Sequence, residues 1–183
     1  MSARQAAELD HAFERNGWTP AEVKKLSQGN TLAQVRRVLL GHAEIIVPEY
    51  IIDCDASPFV PDGWSAEEHQ PNGVFKWSLD NVALYLDKGQ KDGKWIKGNQ
   101  LRKELEDKPV LNANVLDYLL AHPHLIPEEW KGKVVFFWGT IYRRPLGRLC
   151  VRSLFWSGGR WRWYARWLGL GWDGDYPALL SRK

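Results

Sequence analysis

Residues 131–172 read KGKVVFFWGTIYRRPLGRLCVRSLFWSGGRWRWYARWLGLGW, and the pattern of this stretch decides the fold. It holds three runs rich in β-branched and aromatic residues, 134–142, 148–156 and 160–168. Pro145-Leu146-Gly147 separates the first two, and Ser157-Gly158-Gly159 the last two. Short turn signals between such runs predict a three-stranded antiparallel meander. Successive residues of a strand point to opposite faces. In the third run Trp161, Trp163, Ala165 and Trp167 therefore share one face, and Arg160, Arg162, Tyr164, Arg166 and Leu168 share the other. The stretch carries nine Lys/Arg, no Asp or Glu, and six of the chain's eleven tryptophans.

Charge is unevenly spread around it. Residues 1–130 hold 14 Lys/Arg against 20 Asp/Glu, whereas residues 131–183 hold 11 against 2. A basic segment beside an acidic one points either to a polyanionic partner or to attraction between the two parts. At 183 residues the chain suits one domain with a small appendage. Its two cysteines, Cys54 and Cys150, have no framework spacing and fit reduced thiols of a cytoplasmic protein. No signal-like apolar segment opens the chain and no run approaches 18 apolar residues, so neither export nor membrane spanning is expected.

The N-terminal part predicts three short helices. Residues 3–16 place Ala6, Leu9 and Phe13 on one stripe before Gly17. Thr19-Pro20-Ala21-Glu22 has the form of a capping box with proline in the first turn, and Thr31-Leu32-Ala33-Gln34 opens a further helix. The last two helices could form a helix-turn-helix showing Gln34, Arg36 and Arg37, or a helical hairpin with those side chains solvated.

The middle predicts a strand at 49–55, a loop at 56–73, short strands at 74–77 and 82–86, and an exposed turn at 88–94. Helices follow at 99–106 and 112–121, the latter capped by Asn112 and stopped by His122-Pro123. Asp53 and Asp55 at a strand end have the spacing of a nucleophile and acid pair, and superficially resemble the haloacid-dehalogenase motif. That fold needs an α/β rhythm which the rest of the chain lacks.

Metal binding finds no support in the scattered histidines, since only His122 and His124 are close and no CxxC or HExxH occurs. Gly169-Leu170-Gly171-Trp172-Asp173-Gly174 spells a dinucleotide fingerprint. Too few residues follow for the helix the motif requires.

One further signal is the run 108–123, KPVLNANVLDYLLAHP, followed by Ile126-Pro127-Glu128-Glu129-Trp130-Lys131-Gly132. With Ile52-Asp53-Cys54-Asp55, Pro61-Asp62-Gly63-Trp64, Phe137-Trp138-Gly139-Thr140-Ile141-Tyr142 and Gly159-Arg160-Trp161, it resembles a bacterial protein family with no established activity. The resemblance spans most of the chain and implies no catalytic residues. Its members are less arginine-rich in the last strand.

Together these signals predict an α+β protein, divided into an N-terminal helical unit at 1–44 and an α+β domain at 45–183. That domain combines a mixed middle with a C-terminal Trp/Arg-rich meander packed on the 112–121 helix. The expected function is that of a non-enzymatic binding protein, with no cofactor and no metal. Its nucleic-acid-binding residues would be Arg160, Arg162, Tyr164 and Arg166, joined by Arg152 and Arg148 from the neighbouring run. The alternatives are a protein-interaction or structural module in which the arginine face is internal, and an acid-dependent hydrolase using Asp53 and Asp55.

Overall fold

The structure, a computed structural model, describes residues 2–45 and 49–182. The chain divides into two compact units, Met1–Pro48 and Glu49–Lys183.

The first unit is helical: α1 (Ala3–Arg15), α2 (Pro20–Leu26) and α3 (Thr31–Leu39). Of the two expected helix starts, Thr19–Glu22 closes a capping box, whereas α3 begins after Asn30 with no side-chain cap hydrogen bond. Ser2 and Gln5 form a further reciprocal capping box on α1. The hydrogen bonds from the Thr19 backbone and hydroxyl hold the Glu22 carboxyl below its ordinary pKa. No described side chain of this unit is fully buried, and Gln34, Arg36 and Arg37 stand exposed on α3.

The second unit is built on the predicted meander. Its strands are β6 (Val134–Arg143), β7 (Leu149–Ser157) and β8 (Arg160–Trp167), all antiparallel. Gly158 and Gly159 both take positive φ, as a two-residue hairpin turn demands, and glycine does so without steric cost. That turn fixes the register of the second hairpin from Ser157↔Arg160 to Cys150↔Trp167.

Seven further strands complete the sheets: β1 (Tyr50–Asp53), β2 (Ser65–His69), β3 (Val74–Trp77), β4 (Val82–Tyr85), β5 (Ile96–Lys97), β9 (Gly171–Trp172) and β10 (Ala178–Ser181). The main sheet runs β4-β10-β6-β7-β8, and β2 pairs with the far half of β6. β10 lies parallel to β6, with Ala178 opposite Phe136. β1 pairs with β3, and β5 with β9.

Two expectations change here. The segment 56–73 is not all loop, because Ser65–His69 forms β2 despite lacking an apolar alternation. Its strand conformation comes from the β6 ladder and from Glu67, whose carboxylate accepts from Arg143 at 2.8 and 2.5 Å. The turn at 88–94 is anchored rather than wholly exposed. Gln90 is buried and its side-chain amide donates to the Asp173 and Tyr176 carbonyls, both at 3.0 Å.

Both faces of the sheet are covered. On one face α5 (Ala113–Ala121) packs Val115, Leu116 and Leu119 against Val135, Phe137 and Leu154. This is the helix expected at 112–121, with Asn112 as its cap. Each such aliphatic side chain, fully buried, contributes roughly 1.5–3 kcal/mol. On the other face α4 (Gly98–Glu104) sets Leu101 against Phe136, Trp138 and Trp172.

A β6 irregularity between Phe136 and Ile141 lets the strand leave β7 and meet α5. Gly139 donates from its N–H to the Leu111 carbonyl (3.0 Å), and a Cβ there would stand 2.9 Å from Asn112 backbone atoms. Only glycine permits that approach. Among the described residues no helix is long and apolar enough to cross a membrane.

Candidate nucleic-acid interface

β8 is the outermost strand beyond β7, and its two side-chain rows meet different surroundings. On the arginine row, Arg160 and Arg162 are exposed, and Tyr164 is 57% exposed. Among the described residues neither arginine forms an ion pair with a carboxylate. Arg166 is drawn inward: its Nε and Nη2 donate to the Gly171 carbonyl at 3.2 and 2.5 Å, and its guanidinium lies 4.2 Å from the Tyr176 ring centre. The β9 chain thus covers that end of the row.

The tryptophan row is only partly core. Ala165 is buried and Trp161 is half-buried against Trp156. Trp163 and Trp167 remain 38% and 39% exposed. Trp64 packs edge-on against Trp163, and Arg148 lies over Trp167 at 5.0 Å. Arg148 is itself exposed, but it belongs to this side of the sheet rather than to the arginine row.

Arg152 does not belong to an exposed interface, which corrects the sequence-based expectation. Register pairs it with Ala165, so its side chain enters the tryptophan face beneath α5. There it is 1% exposed and donates from Nη1 and Nη2 to the two Asp117 carboxylate oxygens at 2.9 and 2.6 Å. The Trp163 ring lies 4.6 Å away, while its Nε has no hydrogen-bond partner. Burial alone would lower the guanidinium pKa, but the Asp117 bonds and charge, with Tyr142, carry it above its ordinary value. A buried charge held this way is a strut within the fold.

The acidic candidates bond to the main chain around them. Asp53 Oδ1 accepts from the Asp55 and Ala56 amides at 2.9 and 3.2 Å, and Asp55 Oδ1 accepts from the Gly73 amide at 2.8 Å. Each carboxylate thus commits one oxygen to main-chain amides that shape the turn, and among the described residues no histidine bonds to either. Among the described residues no group of three or more His, Cys, Asp or Glu gathers as metal ligands would.

A polar knot that the sequence did not announce joins β2, β6 and the start of α5. The His69 ring contacts the Thr140 hydroxyl at 2.9 Å through Nδ1 and the Cys54 carbonyl at 3.1 Å through Nε2. A carbonyl only accepts, so Nε2 carries the proton and Nδ1 accepts from Thr140. The Thr140 oxygen in turn accepts from the Ala113 amide at 3.0 Å. Asn112 donates to the Cys54 and Gln70 carbonyls at 2.7 and 3.0 Å. Both ring nitrogens are engaged, and His69 ties the Cys54 carbonyl of one segment to the Thr140 hydroxyl of β6.

Beside this knot an open cleft of about 700 Å³ lies between α4 and β2, with Trp138 and Ile141 among its lining residues. Glu68 and Arg102 on its two walls form an ion pair. No family of proteins, curated protein or solved structure matches the chain.

Proposed function

We propose that this is a non-enzymatic cytosolic binding protein that contacts single-stranded nucleic acid through β8, without strong sequence preference. The observation that carries the reading is the pair Arg160 and Arg162, exposed on an outermost strand and free of carboxylate partners among the described residues. Guanidinium groups so placed can neutralise successive phosphates, and the exposed Tyr164 beside them can stack on an unpaired base. Trp163 and Trp167 offer two more stacking faces across the strand. Arg148, over Trp167, adds positive charge on that side. The absence of acids from 131–172 keeps the local field positive.

Fluorescence anisotropy with a labelled single-stranded oligonucleotide tests the reading. The Arg160→Gln/Arg162→Gln protein should lose most of its affinity at low salt while melting like the native chain. Equal affinity in the two proteins would refute it.

A further inference from the structure

β7 pairs with β8 along its whole length, and no described strand pairs with the other edge of β8. The Leu168 amide donates to the Leu149 carbonyl at 3.0 Å. In an antiparallel ladder, hydrogen-bonded pairs alternate with non-bonded ones. Counting back from Leu168, the main-chain groups of Arg166, Tyr164, Arg162 and Arg160 face β7. Those of Trp161, Trp163 and Ala165, with the Trp167 N–H, face outward. Two contacts agree with this count: Ser153 Oγ donates to the Tyr164 carbonyl (3.3 Å), and the Trp167 carbonyl is taken by the Leu170 amide (3.1 Å). No proline, glycine or bulge blunts the edge.

The exposed side chains flank that edge from both sides. Trp163 and Trp167 lie on one face, and Arg160, Arg162 and Tyr164 on the other. A ligand that meets both rows at once runs along the edge itself. An added strand does so by construction, because its side chains alternate with the same period of two.

We propose that the free edge of β8 accepts an extended segment of a partner protein that alternates apolar and acidic residues. Its backbone continues the ladder on Trp161, Trp163, Ala165 and Trp167. Its apolar side chains lie beside Trp163 and Trp167, and its carboxylates beside Arg160 and Arg162. The charge of the site selects this occupant, since Arg160 and Arg162 are exposed and have no carboxylate partner among the described residues. A second copy of the chain is disfavoured by charge. Antiparallel β8–β8 pairing sets outward residues opposite outward residues, and so arginine row against arginine row, where like charges repel. An acidic strand here would also compete with nucleic acid for Arg160 and Arg162. That competition rests on the function proposed above, whereas strand addition does not.

The test uses the full chain, a short synthetic peptide alternating valine and glutamate, and amide hydrogen exchange followed by NMR. Controls are the same peptide N-methylated at the nitrogens facing β8, and a valine–lysine peptide. The acidic peptide should slow exchange at Trp161, Trp163, Ala165 and Trp167 by about tenfold or more, as a new ladder protects its amides. Both control peptides should fail to do so. Arg160→Glu/Arg162→Glu should transfer binding to the lysine peptide. The proposal is overturned if the acidic peptide does not bind, or if N-methylation leaves binding unchanged. It is equally overturned if only a single-stranded oligonucleotide protects these amides, which would make nucleic acid the occupant. The nucleic-acid reading fails separately, when an oligonucleotide shows no salt-sensitive binding whatever the peptide does.

Discussion

Replacing Asp117 by asparagine removes the counter-charge of Arg152 while keeping the side chain's shape. Arg152 is 1% exposed and the Asp117 side chain 31% exposed, so the guanidinium is left buried with water reaching only its partner's side. Breaking a buried pair by removing one member typically costs about 3–5 kcal/mol. The partial exposure of Asp117 places this case near the lower end, at about 3 kcal/mol. For a unit of 49–183 that loss lowers the melting temperature by roughly 10 °C.

A circular dichroism melt of the full chain measures it, with Arg162→Gln as reference. Loss of an exposed arginine should stay within about 0.5 kcal/mol of native. The double replacement Arg152→Met/Asp117→Leu should recover most of the loss, because an apolar pair of similar volume needs no desolvated charge. If Asp117→Asn melts with Arg162→Gln, the guanidinium is solvated and the assignment of Arg152 as an internal strut is wrong.

Three further perturbations probe other parts of the structure. Thr140→Val strands both the Ala113 amide and His69 Nδ1, and should cost about 2–4 kcal/mol in a denaturant titration; Thr140→Ser should restore most of it. Gly98→Ala would set a Cβ 2.3 Å from Trp172 Nε1 and 2.7 Å from the Leu168 carbonyl. Overpacking of that severity should cost about 3 kcal/mol or more, read as a lost or early thermal transition. Burial pushes the Cys150 thiol up to about 11, so at pH 8 it stays protonated in the fold. Mass mapping after thiol alkylation should find Cys150 modified far more slowly in native than in urea-unfolded protein, and equal rates would contradict its burial.

The sequence was most legible where local chemistry and tertiary pairing agree. The Ser157-Gly158-Gly159 turn, the alternation after it and the Asn112 cap each predict a structure that packing then reinforces. The α+β class and the antiparallel C-terminal meander follow from them. The position of Arg152 was legible too, but only through register. A two-residue turn at Gly158-Gly159 makes Arg152 the partner of Ala165, and so puts it on the tryptophan face. Composition alone groups it with the other arginines.

Elements formed by distant pairing carry no local signal. β2 is polar and leans on β6, and β10 is four residues slotted between β4 and β6. Trp163 illustrates the limit of alternation: it shares a face with the core, yet at the open edge nothing covers it fully. The His69–Thr140–Asn112 knot joins positions far apart in the chain, and none of the three is unusual in its own surroundings.

The salt dependence of oligonucleotide binding reads the phosphate contacts of β8 one by one. Two phosphate contacts, from Arg160 and Arg162, release counterions with a log–log slope of about −0.7 each, so the affinity of a single strand should fall with a slope of about −1.4. Arg166 adds nothing to that slope because its guanidinium is committed to Gly171 and Tyr176. Arg160→Gln/Arg162→Gln should flatten the slope by about that amount, leaving only what Arg148 contributes, with the melting temperature unchanged. A native slope indistinguishable from zero, or one the double variant leaves intact, would contradict the account.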